Sequence, residues 1–293
     1  PTLLISELAR RRVTVALSGD GGDELFGGYN RYFWGPRLWN LVGWLPASLR
    51  RAIAGALTGV RQPTWDSIFR YIFRVNRPGE KLHRLAEAMT AGSREEFYGN
   101  LVSMWQNPDS IALDADEAPT VLTDPDAWPK LANFTEWMMY LDSLTYLPDD
   151  ILVKLDRASM AVGLEARAPF LERAVVEFVW KLPISMKVRK KEGKWLLRGV
   201  LDRHVPSELV RRPKQGFGIP IDSWLRGPLR DWAETLLDER RLRRDSFLDP
   251  RPIRRRWHEH LAGRTNWHFS LWGVLMFQAW LSAYAGWKAQ TTK

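Results

Sequence analysis

Leu17-Ser18-Gly19-Asp20-Gly21-Gly22-Asp23-Glu24-Leu25-Phe26-Gly27-Gly28-Tyr29 packs five glycines and three carboxylates behind a short β-branched run, Val13-Thr14-Val15-Ala16-Leu17. The run reads as a buried strand. The glycines let the backbone behind it turn sharply and come close to a ligand. Carboxylates repel a phosphate, so they reach one only through a divalent cation; otherwise they contact an amine or act as a base. Strand, glycine-acid loop and helix in that order is where open α/β sheets hold ligands. A solvated hairpin or helix cap is the plain alternative for a loose loop of this composition.

Outward from that string, 293 residues at 45% hydrophobic content suffice for one large domain or two small ones. Sixteen tryptophans favour an extensive apolar surface. With no cysteine, disulfides, thiolate metal sites and cysteine nucleophiles are excluded within the chain. The net charge of +9 sits largely in separated arginine runs such as Arg10-Arg11-Arg12 and Arg254-Arg255-Arg256. They carry no nucleic-acid motif and read as a solvated or anion-attracting surface. No nucleic-acid partner, no secretory signal and no membrane anchor is expected, and the location expected is cytoplasmic. The apolar segment 267–285 reads as a buried terminal helix, and the start at Pro1 suggests a processed or truncated product.

Periodicity predicts helices over 2–11, 24–32, 34–59 (broken near Pro36 and Pro46), 78–91, 93–105, 130–147, 172–181, 194–203, 222–237, 251–261 and 267–283. Residues 108–129, rich in Asp and Pro, read as a long surface loop. Pro148 is expected to stop one helix and open another. One strand alone is evident. A ligand loop of this kind normally needs several parallel strands to carry it, so the chain reads as the later part of a larger unit.

Two further constellations carry chemistry. On a regular helix Asp150, Lys154 and Arg157 share one face at i, i+4 and i+7, plainly as a surface ion-pair ladder, while Asp156 and Arg157 are candidates to order the wall of a site. Glu165-Ala166-Arg167-Ala168-Pro169-Phe170-Leu171-Glu172 follows, with Glu165 and Arg167 expected as a buried structural pair. In Arg211-Arg212-Pro213-Lys214-Gln215-Gly216-Phe217-Gly218 a lysine stands in a Gly/Pro loop, able to close onto a phosphate and withdraw, or simply exposed. Lys194 is a second such cation or the solvated start of a helix. The five histidines are not spaced for a metal site.

Together these strings resemble the asparagine synthetase family. Residues 17–29 are similar to its second signature, residues 146–172 to its D-R-x-x-M and E-x-R-x-P-F-L-[DE] strings, and Lys214 stands in its K-x-G-F motif. The resemblance implies an α/β fold of the adenine-nucleotide α-hydrolase (PP-loop ATPase) type, with residues 1–293 a mostly helical C-terminal portion of the synthetase domain. The family's upstream S-G-G-x-D-S pyrophosphate loop and its glutaminase domain have no counterpart here. It implies ATP-dependent amidation of aspartate through an acyl-adenylate attacked by ammonia, with ATP and Mg2+ required and ammonia drawn from a glutaminase domain outside this chain. On that resemblance Lys214 is the catalytic cation and Asp23 a magnesium ligand. Asp20 is the candidate base, although family members commonly carry the longer Glu there. Ser18, Gly19, Gly21, Lys194, Asp150, Lys154 and Arg157 bind nucleotide or substrate, the backbone amides of Ser18 and Gly19 among them. A homodimer or a complementing upstream fragment is the expected partner. A β-lactam synthetase-like or sugar-acid amidotransferase, or a non-catalytic module, are the rival expectations.

Overall fold

A computed structural model describes residues 1–69, 77–189, 192–210 and 218–291, with the side chains of 207, 210 and 285–291 excepted. Lys214 lies outside the described residues. The elements run α1 (Thr2–Arg10), β1 (Val15–Leu17), α2 (Gly22–Phe26), α3 (Arg31–Val42), α4 (Ala47–Gly59), α5 (Gln62–Phe69), α6 (Pro78–Met89) and α7 (Arg94–Val102). Then come α8 (Phe134–Leu144), a π-helical turn (Leu147–Leu152), α9 (Val153–Met160), β2 (Glu165–Arg167), α10 (Arg173–Lys181), α11 (Ile184–Lys187) and α12 (Trp195–Leu201). The last are α13 (Ser207–Val210), α14 (Ile221–Arg226), α15 (Arg230–Leu236), α16 (Glu239–Asp245), α17 (Pro250–Leu261) and α18 (His268–Thr291). The chain forms two compact units, residues 1–41 with 119–217 and residues 42–118 with 218–293.

The first unit holds the sheet found among the described residues, two parallel strands in the register Val15↔Glu165, Ala16↔Ala166 and Leu17↔Arg167. The strand expected from residue 13 is thus real but short, and Leu17 is 75% exposed rather than buried. β2 was not expected: Glu-Ala-Arg has no strand propensity, and its extended state comes from pairing with β1. Glu165 and Arg167 do pair, at 2.7 Å, but on an exposed surface, which corrects the buried pair expected for them. Leu25 and Phe26 of α2 are buried with Val179 of α10, packed by Phe170, Leu171 and Leu197.

Pro36 does not break α3, which runs through it. A proline at 36 removes the N–H that would bond the carbonyl four residues back, that of Tyr32. The Thr135 hydroxyl of α8 donates to that carbonyl instead, at 3.1 Å. The helix expected to stop at Pro148 ends a few residues earlier, at Leu144, and a new one opens there as expected: Pro148 stands in the first turn of the π segment, which leads straight into α9. Asn133 caps α8, its Oδ1 accepting from the amides of Thr135 and Glu136.

The second unit is helical. Leu225, Leu237, Leu242, Ile253, Trp257 and Leu271 are wholly buried in the core formed by α14 to α18. The helix expected over 222–237 is two, parted at Gly227-Pro228. Arg256 lies between the Trp105 and Trp267 rings, 3.7 and 4.2 Å from their centroids. Among the described residues no helix is long and apolar enough to cross a membrane.

Candidate functional site

The glycine-acid loop leaves β1 at Ser18, whose amide donates to the Arg167 carbonyl at 2.7 Å. That amide belongs to the sheet and is not available to a ligand, which corrects the role expected for it. The Ser18 hydroxyl, in contrast, is buried with no hydrogen-bond partner among the described residues. A buried hydroxyl left unmatched costs free energy, so a group that arrives to meet it gains. Gly19 is exposed and Asp20 half-buried. Gly21 adopts a left-handed backbone (φ 85°) and starts α2.

Asp23, in the first turn of α2, meets Lys194: Nζ stands 3.0 Å from Oδ1, both side chains half-buried. Lys194 is carried there by the segment before α12. Its own amide donates to the Phe26 carbonyl at 2.8 Å, and its φ is 57°. Two glycines make this approach possible. A Cβ on Gly193 would overlap the Gly27 carbonyl oxygen, and a Cβ on Gly28 would collide with the Asp23 carboxylate and the Lys194 stem. The structure thus joins Lys194 to the acid loop.

Next to the pair stands a network that the sequence reading missed. Glu24 is buried, and its Oε1 accepts from the Tyr29 hydroxyl at 2.5 Å. Burial raises the Glu24 carboxyl above its ordinary range, against the lowering effect of the Tyr29 hydrogen bond. Burial, and then Glu24, push the Tyr29 phenol well above its usual value. Asp142 of α8 is wholly buried and accepts from Arg31 Nε at 2.9 Å and Tyr32 at 2.5 Å. A buried acid in an apolar helix demands such partners. Asp142 within the run Trp137–Leu144 was the signal that could have found them.

The second constellation does not assemble as expected. The π turn over 147–152 offsets the helix face. Asp150 lies near Tyr146, and burial with the charge of Asp150 raises that phenol above its usual value. Lys154 is exposed, and Arg157 is exposed with Asp156 at 3.8 Å. No ladder links the three residues among those described. No cluster of three metal-ligating side chains occurs among the described residues. A magnesium ion held by one or two carboxylates and a nucleotide's phosphates needs no such cluster. Asp20 and Asp23, with the unmatched Ser18 hydroxyl, fit that mode.

The sequence profile of the asparagine synthase family matches residues 1–282. A Mycobacterium tuberculosis protein provisionally named glutamine-hydrolyzing asparagine synthetase is 32% identical over 286 residues, 96% of this chain and 41% of its own length. Glutamine-hydrolyzing asparagine synthetase 1 of Bacillus subtilis is 27% identical over 96% of this chain and 42% of its own. The Mus musculus enzyme of that name is 28% identical over 57% and 33%. The chain therefore spans about two-fifths of the length of the first two relatives. A loop of this geometry under a profile that covers nearly the whole chain makes the protein a member of the asparagine synthase family.

Proposed function

We propose that the chain is the C-terminal part of a synthetase domain that amidates a carboxylate, aspartate first among candidates, at the expense of ATP. The observation that carries this reading is Lys194 on Asp23 at 3.0 Å, in the loop that also carries the unmatched buried hydroxyl of Ser18. A nucleotide polyphosphate needs fixed positive charge where the pyrophosphate departs, and a lysine supplies it as a point charge. We assign that charge to Lys194, which stands on Asp23 in the acid loop, with Lys214 the second cation of this proposal. Mg2+, when bound, would neutralise phosphate charge and orient the leaving group. Asp23 and Asp20 are the residues to hold it. The carboxylate substrate becomes an acyl-adenylate, and ammonia attacks its carbonyl as AMP leaves. In this reading Asp20 accepts the proton from the attacking nitrogen. Ammonia would come from a glutaminase domain in the longer protein, and the cytoplasm is the compartment we propose.

A partner segment also has support. Leu4, Leu8, Val15 and Leu17 on α1 and β1 are exposed. We place there a complementing upstream segment, the first relatives being more than twice as long as this chain. The 293-residue chain alone is then expected to lack full synthetase turnover.

Pyrophosphate release by the full-length protein, dependent on ATP, a carboxylate and ammonia, tests the reading. Asp23→Asn and Lys194→Met should each lower turnover by about 100-fold or more. A screen of carboxylates separates aspartate from the acceptors of related amide formers. Unchanged turnover in both variants, or no release with any carboxylate, would overturn the proposal, and robust turnover by the 293-residue chain would overturn its incompleteness.

A further inference from the structure

Arg31 opens α3 two residues after the loop ends, and its guanidinium is engaged on its edge and on its face at once. On the edge, Nε and Nη2 reach one oxygen of the buried Asp142, at 2.9 and 2.8 Å. On the face lie Tyr29, with its ring centroid 4.2 Å from Cζ, and Tyr146, at 5.0 Å. Each of these phenols has a carboxylate near it. Tyr29 donates to Glu24, the residue next to the Lys194 partner Asp23, and Tyr146 lies near Asp150, whose charge helps to raise its phenol. The two rings meet edge to face at 5.7 Å. One planar cation therefore fixes two aromatic rings that come from opposite sides of a long stretch of chain, and through them two acids beside the candidate site.

We propose that Arg31 is a positioning residue for the amide-forming reaction: anchored on Asp142, it sets the Tyr29–Glu24 and Tyr146–Asp150 pairs at the acid loop. This assignment rests on the function proposed above. Arg31 acts through the tyrosines. Its side chain is 23% exposed, and its polar edge is committed to Asp142. Only a guanidinium does both tasks. A lysine ammonium has the charge but no plane to stack and no fork to grip one carboxylate while doing so.

The test uses the full-length protein with Arg31→Lys and Arg31→Met, measured for turnover, nucleotide KM, urea unfolding and the ring NMR resonances of Tyr29 and Tyr146. In Arg31→Lys the unfolding transition should persist and both ring resonances should move. kcat should fall by about 100-fold, as misplaced groups cost, with nucleotide KM held within about threefold. Arg31→Met should behave alike, so that restoring charge alone gives no rescue. Wild-type kcat in Arg31→Lys, or a loss of kcat with both resonances unmoved, overturns the assignment. Loss of cooperative unfolding in both variants also overturns it, because Arg31 is then a folding residue. If the wild-type protein releases no pyrophosphate with any carboxylate, the functional reading fails by itself. The resonances then decide whether Arg31 sets the rings, and unmoved rings overturn that too.

Discussion

Lys194 holds a left-handed backbone that a side chain with a Cβ adopts at a cost of about 1–2 kcal/mol. The hydrogen bond from its amide to Phe26 and the ion pair to Asp23 offset that cost. Both depend on the bare Cα of Gly193 beside the Gly27 carbonyl. Gly193→Ala is expected to destabilise the protein by about 1–3 kcal/mol, as an overpacked contact does, and, under the function proposed above, to weaken nucleotide binding by moving Lys194. Urea unfolding with nucleotide titration by calorimetry checks both, and a variant with unchanged affinity would show that Lys194 is placed by other means. The acid loop was legible because its glycines and acids are neighbours in sequence. The Asp23–Lys194 pair was not, since nothing local says that the segment before α12 returns to α2. The partners of Asp142 were not legible either, because they lie in α3, over a hundred positions earlier.

Most helices were legible at the level of elements, for the reason that their apolar spacing and caps are local. The Ser93 side chain accepts from the Glu96 amide at the start of α7, as the Ser-x-x-Glu spacing predicts. Elements decided by tertiary contact were not legible. β2 has the wrong residues for a strand, and α3 contains a proline that should end it. The second case yields a measurement. Thr135 relieves the Tyr32 carbonyl in a buried setting. Thr135→Val keeps the shape and removes the donor, and should cost about 1–3 kcal/mol in chemical denaturation. A loss below a few tenths would mean that α3 tolerates the proline without help.

In the molecule as a whole, acid should strike the helical unit through His260. Its ring is wholly buried, with Nδ1 accepting from the Trp267 amide at 3.3 Å, so the imidazole is neutral. Burial, with the Arg226 charge beside it, lowers its pKa from 6.5 to about 4. The half-buried Asp222 faces it with Arg226, and His268, Glu80 and Arg77 surround that group. The unfolded chain takes up a proton near pH 6.5, whereas the folded one resists until about 4. The stabilisation is therefore complete above pH 6.5 and is lost as pH falls towards 4, to the extent of roughly 3 kcal/mol. Urea midpoints between pH 7 and 4 should fall accordingly, with a flatter profile in His260→Asn. An equal slope in that variant would place the acid sensitivity elsewhere.

The pairing of β1 with β2 has a kinetic consequence. Residues 18–164 separate the two strands, and they include 42–118, which belong to the other unit. No hairpin can seed a parallel pair, and closing so large a loop is entropically late work. The helices can condense first on short-range contacts, leaving the strands to zip together near the end. The acid loop behind β1 therefore takes shape among the last events of folding, and in a half-folded chain the ligand proposed for it has nothing to settle on.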